Sequence, residues 1–376
     1  MSGRGWIHSI AAPARAVLLA GLLLPAACGT LPAEGTPAPP TAADAAASID
    51  QLMQPYSGEV PGASVLVLKD GKTVFAKGYG LADMERRVPA DARTNYRLAS
   101  VSKPFTAAAV LLLAQDGKLS LEDPVKRWLP SLPASADPIT VRHLLNHTSG
   151  LLDYEDLMPK PYQGQILDAG VLDLLAQHDR LNFPVGSQYR YSNSGYALLA
   201  LIVERVSGQS FPTFLRERIF LPLGMRDTVA RVDDGPAVAH RAFGYSAEGA
   251  GWKRTDQSPY SAVLGDGGIY SSIEDLARWD AAWTDDRLFT AATRALATGR
   301  HAAVREGGES SWYGYGWRVS DDGSRQWHNG ESIGFRNSFT RWPTQGVTVV
   351  ILSNRNEPTP SALARRIGAL YLPPRH

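Results

Sequence analysis

The sequence is short of cysteine and of net charge. Among 376 residues there is a single cysteine, Cys28, so no intrachain disulfide can form and the fold must hold through its own core. Lys and Arg number 38 against 37 Asp and Glu, a formal net charge of +1. A balance this even gives no polyanion-binding surface, and nucleic acid is not an expected partner. Long apolar runs are scarce too. The one candidate, AVLLAGLLLPAAC, is too short to span a bilayer comfortably. What remains is ordinary globular composition, 44% hydrophobic and 20% charged, in a chain long enough for a large core and two lobes.

Arg4 and Arg15 precede that apolar run, the order of an export signal. The PAAC that ends it resembles a bacterial lipobox, with Pro25 where leucine is usual. Cys28 is the expected point of lipid attachment and of membrane attachment, and simple cleavage near Ala27 is the other reading. The expected protein is exported, periplasmic and anchored. Its segments are a signal over 1–28, a Pro/Ala/Thr-rich linker over 29–46 and one domain over 47–371.

Residues 42–54 end in a short predicted helix. ASVLVLKDGKTVFAKGYG predicts a hairpin turning at Asp70-Gly71. RLASVSKPFTAAAVLLLAQDGKL predicts a buried helix that opens near Ser100 and stops at Gly117. From about 105 to 290 the apolar spacing is mainly helical, and from about 312 it turns to strands closed by a last helix, TPSALARRIGALYL. The fold class expected is α/β (α+β). One antiparallel sheet is built from both chain ends and flanked by helices, a mainly helical lobe lies between, and a cleft separates the two.

Two serines compete as nucleophile. Gly330-Glu331-Ser332-Ile333-Gly334 satisfies G-x-S-x-G, but that elbow needs a helix after the serine, and here FRNSFTRWP reads as strand. No aspartate lies beyond Ser332, and the later histidine is the terminal His376. Ser332 therefore lacks a base. Ser100-Val101-Ser102-Lys103 is S-x-x-K, whose spacing puts both side chains on one helical face. A helix start there supplies N–H groups beside a developing oxyanion. An ordinary N-cap serine with a surface lysine is the competing reading.

Tyr191-Ser192-Asn193 lies on a loop before a helix. A buried tyrosine between cations can hold a lowered pKa and relay protons, and the asparagine amide can accept from the lysine and donate to a substrate carbonyl. The plain alternative is a helix cap. His328-Asn329-Gly330 stands at a predicted strand edge. A partly charged head there can orient the tyrosine or bind a substrate carboxylate, and Gly330 lets substrate approach the backbone.

Taken in order, S-x-x-K, Y-x-N and [HK]-x-G resemble the serine β-lactamase and DD-peptidase family, in its class-C-like branch of esterases, D-aminopeptidases and carboxypeptidases. HLLNHTSGL, YGYGW and GDGGIYSSIEDLARW belong to the same likeness, which covers roughly 47–371. The resemblance implies a β-lactamase/transpeptidase-like fold and an acyl-enzyme on Ser100. Lys103 is then its proton acceptor, Tyr191 the relay and Asn193 a positioning group. His328 takes the third-motif role, and the N–H groups of Ser100 and Glu331 form the oxyanion hole. Which of Lys103 and Tyr191 is the base stays open. Histidine in place of lysine at the third motif speaks against strong penicillinase activity. The implied substrates are small esters, amides or peptides, with no metal or cofactor. The rival reading is a non-catalytic module that binds cell-wall peptide on the same scaffold.

Three further features are read as structural. His143 and His147 have metal-like spacing, but HTSG reads as a helix end and turn. The late tryptophans and tyrosines are expected in the sheet core, with one or two lining the cleft. Gly265-Asp266-Gly267-Gly268 is expected as a loop at the cleft mouth.

Overall fold

The computed structural model describes residues 41–231, 237–305 and 310–373. Cys28, the export signal and most of the expected linker lie outside the described residues, as does His376. The first described helix, Ala42–Leu52, is capped by Thr41 and begins inside the segment expected to be linker.

Eight strands form one antiparallel sheet, and its order joins the two ends of the domain. Ala302–Val304 stands at one edge, followed by Ser311–Tyr313, Arg318–Ser320, Gln326–Ser332, Phe335–Trp342 and Val347–Ser353. Ala63–Lys69 pairs with this last strand, from Ala63 opposite Ser353 to Lys69 opposite Val347, and Lys72–Tyr79 completes the other edge. The early hairpin turns where expected. Asp70 and Gly71 both have positive φ, +51° and +73°, the geometry that matches a hairpin's twist.

ASVLVLK is apolar without alternation because both faces of its strand are covered. Val65 and Val67 pack with Ile49, Ile351 and Ile367 under the first and last helices. Leu66 and Leu68 point the other way, into the main core with Phe105, Trp279 and Leu352. Period-two geometry thus splits one run between two helical layers.

The middle of the chain supplies helices Lys103–Gln115, Asp168–Ala176, Asn193–Ser207 and Ile273–Ala281. It is less purely helical than its periodicity suggests. Tyr96–Arg97, Val229–Ala230 and Ile269–Ser271 form a small three-stranded sheet, and Tyr245–Glu248 pairs with Gly251–Arg254. Strands of two to four residues are too short to carry a period, so sequence patterning passes over them.

Candidate active site

Ser100 does not sit on an α-helix as expected. It lies in a 3₁₀ turn, Ala99–Ser102, that leads into the α-helix starting at Lys103. Two constraints shape that turn. Ala99 holds φ at +50°, a region that costs an alanine roughly 1–2 kcal/mol. Asn337, fully buried in the sheet, donates its amide to the carbonyl oxygens of Arg97 and Leu98 at 2.9 and 3.1 Å. The serine is therefore presented by strained backbone tied to the sheet, and Ser100 itself stays partly open.

Lys103 is completely buried, and its Nζ has three oxygen neighbours. They are Ser100 Oγ at 3.1 Å, Asn193 Oδ1 at 2.8 Å and the Asp266 carbonyl at 2.9 Å. Burial pulls its pKa down to about 8, against the opposing pull of the Asp266, Glu155 and Asp153 carboxylates. Asn193 begins the helix Asn193–Ser207, whose N-cap is Ser192. Its Nδ2 donates to Glu155 Oε1 at 2.9 Å. That bond fixes which end of the amide faces the lysine and uses one of the two amide hydrogens, leaving the other for a group in the hollows that Asn193 lines.

Tyr191 is placed beside this pair, with its ring 4.8 Å from Lys103 Nζ. Its hydroxyl is buried with no partner of ordinary hydrogen-bond geometry, and Ser100 is the side chain near enough to favour its ionised form. The expectation of a lowered tyrosine pKa is overturned. Burial pushes it up, and the pull of Ser100 does not restore it.

His328 also departs from expectation. It is 3% exposed, and both ring nitrogens are engaged within the protein. Nδ1 lies 2.7 Å from the Asn329 carbonyl and so carries the proton, and Nε2 accepts from the Tyr313 hydroxyl at 2.9 Å. Burial, with the positive charge of Lys103, holds its pKa at about 3. The ring is neutral rather than partly charged. It presents no cation to a substrate carboxylate, and the tyrosine it orients is Tyr313.

The strand that carries His328 runs directly against the Ser100 turn. A Cβ on Gly330 would stand 2.1 Å from the Leu98 carbonyl oxygen. Past Trp327 the neighbouring strand Arg318–Ser320 has ended, so the edge from His328 to Ser332 faces the turn instead of another strand. Ser332 precedes the Ile333–Gly334 turn and the next strand, strand-turn-strand as expected, with its hydroxyl buried and unpartnered.

Two adjoining hollows, of 340 and 620 Å³, open onto Ser100, and both also touch Glu155, Asn193 and Glu331. There is room on both sides of the serine for a substrate. Trp327 lines the larger hollow, while Tyr313, Tyr315 and Trp317 are fully buried, which divides the late aromatics much as expected. Gly265-Asp266-Gly267 forms a short buried helical turn, Leu264–Gly267, rather than a loop at the mouth. The carboxyl group of Asp266 accepts the Tyr154 hydroxyl at 2.9 Å, and burial raises its pKa to about 6.

Sequence reasoning missed Glu155 and Asp266. Glu155, whose pKa burial and nearby Asp153 raise, comes to the site from a four-residue helix, Tyr154–Leu157, with no motif of its own. Asp266 meets Lys103 through a backbone oxygen, a contact that leaves no side-chain signature. His143 and His147 have separate tasks. The His143 ring caps the start of its own helix by accepting the Thr140 N–H at 3.1 Å, and His147 packs behind Tyr191.

A buried lysine thus lies against a cleft serine at the rim of an antiparallel sheet in an α/β protein. The chain belongs to the β-lactamase family, whose pattern matches residues 45–372. It is 33% identical over 314 residues to penicillin-binding protein 4* of Bacillus subtilis, spanning 79% of this chain and 68% of that protein. It superposes on the D-amino acid amidase of Ochrobactrum anthropi SV3, solved with D-phenylalanine, with a TM-score of 0.74 and 25% identity. That likeness covers 86% of this chain and 98% of the amidase. It is also similar to EstCE1, a hydrolase with promiscuous acyltransferase activity, with a TM-score of 0.70 and 26% identity over 88% of this chain and 98% of that one.

Proposed function

We propose that this protein is a serine hydrolase that cleaves small esters, amides or peptides through an acyl-enzyme on Ser100. The observation that carries the reading is the hydrogen-bond inventory of Lys103. Asn193 Oδ1 and the Asp266 carbonyl can only accept. A neutral amine has two hydrogens and one lone pair. The hydrogens go to those two oxygens, and the lone pair is left facing Ser100 Oγ. The uncharged lysine is thereby aimed to take the serine proton. With Lys103 held at about 8 and Tyr191 pushed above its ordinary value, the lysine is the better base at neutral pH.

Oxygen stabilisation follows from the strand register. Ser332 and Phe335 flank a two-residue turn and are directly paired. N–H groups alternate between edges along a strand, so Glu331 turns its N–H away from that partner strand, toward the Ser100 turn. With the N–H of Ser100 it supplies two donors for a tetrahedral oxyanion. Ester or amide attack then gives an acyl-serine, and water releases the acid. The neutral His328 offers a substrate carboxylate no charge, so the cations available to one in the larger hollow are Arg318 and Arg365. Likeness to a D-amino acid amidase and to a hydrolase with promiscuous acyltransferase activity supports chemistry at a small acyl group. Export and anchoring through Cys28 remain part of the proposal.

A fluorophosphonate probe tests the assignment. We expect one covalent adduct in the wild type and none in Ser100→Ala, with labelling kept in Ser332→Ala. No adduct, or one that survives Ser100→Ala, would sink the reading.

A further inference from the structure

His147 touches neither Ser100 nor Lys103 by a hydrogen bond, yet it holds the backbone on both sides of Tyr191. Its carbonyl oxygen accepts the N–H of Arg190 at 3.0 Å. Its Nδ1 accepts the N–H of Ser192 at 3.1 Å. Its ring lies 4.5 Å from the Tyr191 ring and 4.4 Å from that of Tyr313. Because Nδ1 accepts, the ring proton is on Nε2, and that atom is buried without a partner.

Its backbone is also unusual. It sits just past the helix Val141–Leu145 at φ +62°, a left-handed region uncommon for L-residues and entered mostly by asparagine, aspartate and histidine. A buried, neutral, half-satisfied ring in left-handed backbone is an expensive way to fill space. The turn does have one effect. It brings a main-chain acceptor and a ring acceptor to bear on the same loop, one residue to each side of Tyr191.

We propose that His147 is a positioning residue that fixes the Tyr191 hydroxyl against Ser100, so that Tyr191 can pass a proton to the leaving group during acylation. This rests on the acyl-enzyme reading above. In the step, Ser100 Oγ gives its proton to Lys103 and bonds to the carbonyl carbon. As the bond from that carbon to the leaving oxygen or nitrogen breaks, Tyr191 gives its proton to the leaving atom and is reprotonated from the Lys103 ammonium. The serine proton ends on the leaving group, and nothing is oxidised or reduced.

The test is the leaving group. An alkoxide must be protonated as it leaves, whereas p-nitrophenolate need not be. His147→Asn keeps an acceptor near the Nδ1 position and suits left-handed backbone. His147→Gly suits that backbone and has no acceptor. With alkyl esters, we expect acylation to fall by about 30-fold or more in His147→Gly and by under about 3-fold in His147→Asn, within the range that proton transfer contributes. With p-nitrophenyl esters both should stay within about 3-fold of wild type, and the His147→Gly loss should vanish in a Tyr191→Phe background. Equal losses on both esters, or a loss undiminished by Tyr191→Phe, would overturn the inference and leave the acyl-enzyme intact. Failure of the wild type to form any Ser100 adduct would overturn both. Should His147→Gly not fold, His147→Leu, which refills the volume of the ring without an acceptor, carries the same contrast.

Discussion

Replacing Lys103 with methionine is expected to slow acylation of Ser100 by about 10³-fold, the middle of the range for a lost general base. Methionine nearly matches the volume of the lysine stem, so the buried site keeps its packing while losing the nitrogen. The wild-type rate carries its own signature. Only the uncharged amine accepts the serine proton, and burial sets its pKa at about 8. Acylation should therefore rise with pH through a midpoint near that value and then level off. His328, held at about 3, contributes no inflection between there and neutrality. A pH-independent rate from 6 to 9, or a Lys103→Met enzyme as fast as wild type, would remove the lysine from the mechanism.

The same shift has a stability consequence whose sign can be worked out. An unfolded lysine titrates near 10.5, the folded one at about 8. Between those values the unfolded chain binds more protons, so stability contributed at this site rises with pH. Below both values the site carries its full cost of burying a charge, about 3 kcal/mol for a shift of this size. Chemical denaturation of wild type and Lys103→Met at pH 7.5 and 10.5 should show their difference in unfolding free energy changing by that amount, in favour of the wild type. A constant difference would mean that the lysine is not displaced from its ordinary pKa.

The order of the three motifs was legible because each needs particular side chains at fixed spacing, and the sheet ends were legible because period two persists over seven or eight residues. The chemistry around the motifs was not. The sequence does not show that Asn193 gives one amide hydrogen to Glu155, or that His328 is sealed between Asn329 and Tyr313. Both follow from burial, and burial depends on partners far away in the chain. The sign error on Tyr191 has the same origin. Burial and nearby cations were both foreseen, but not their relative weight, and desolvation is the larger effect. His147 was read as part of a helix end and turn, but nothing in the sequence shows that this turn brings it against the backbone on both sides of Tyr191.

Gly330→Ala is expected to be as damaging to activity as a change in the catalytic set, although it adds one methyl group to a residue with no side chain. The new Cβ would lie 2.1 Å from the Leu98 carbonyl oxygen and 3.2 Å from the Val101 nitrogen. Neither neighbour is a flexible side chain that can step aside. Both belong to the backbone on either side of Ser100, and the Leu98 carbonyl is tied to the same sheet by Asn337, the cross-strand partner of Gly330. Strand and turn must separate by roughly 1 Å to restore ordinary contact. Overpacking of this kind typically destabilises by about 1–3 kcal/mol. The larger effect is on geometry, because the gap that opens lies between the Ser100 and Glu331 N–H groups. Misplacement by about 1 Å costs on the order of 10²-fold in rate, so fluorophosphonate labelling should slow by that factor in protein that still melts cooperatively. Gly251→Ala, on the outlying hairpin with 3.9 Å to its nearest neighbour, is the matched control and should label as wild type does. If Gly330→Ala labels at the wild-type rate, the strand is not a wall of the catalytic site and the oxyanion donors must lie elsewhere.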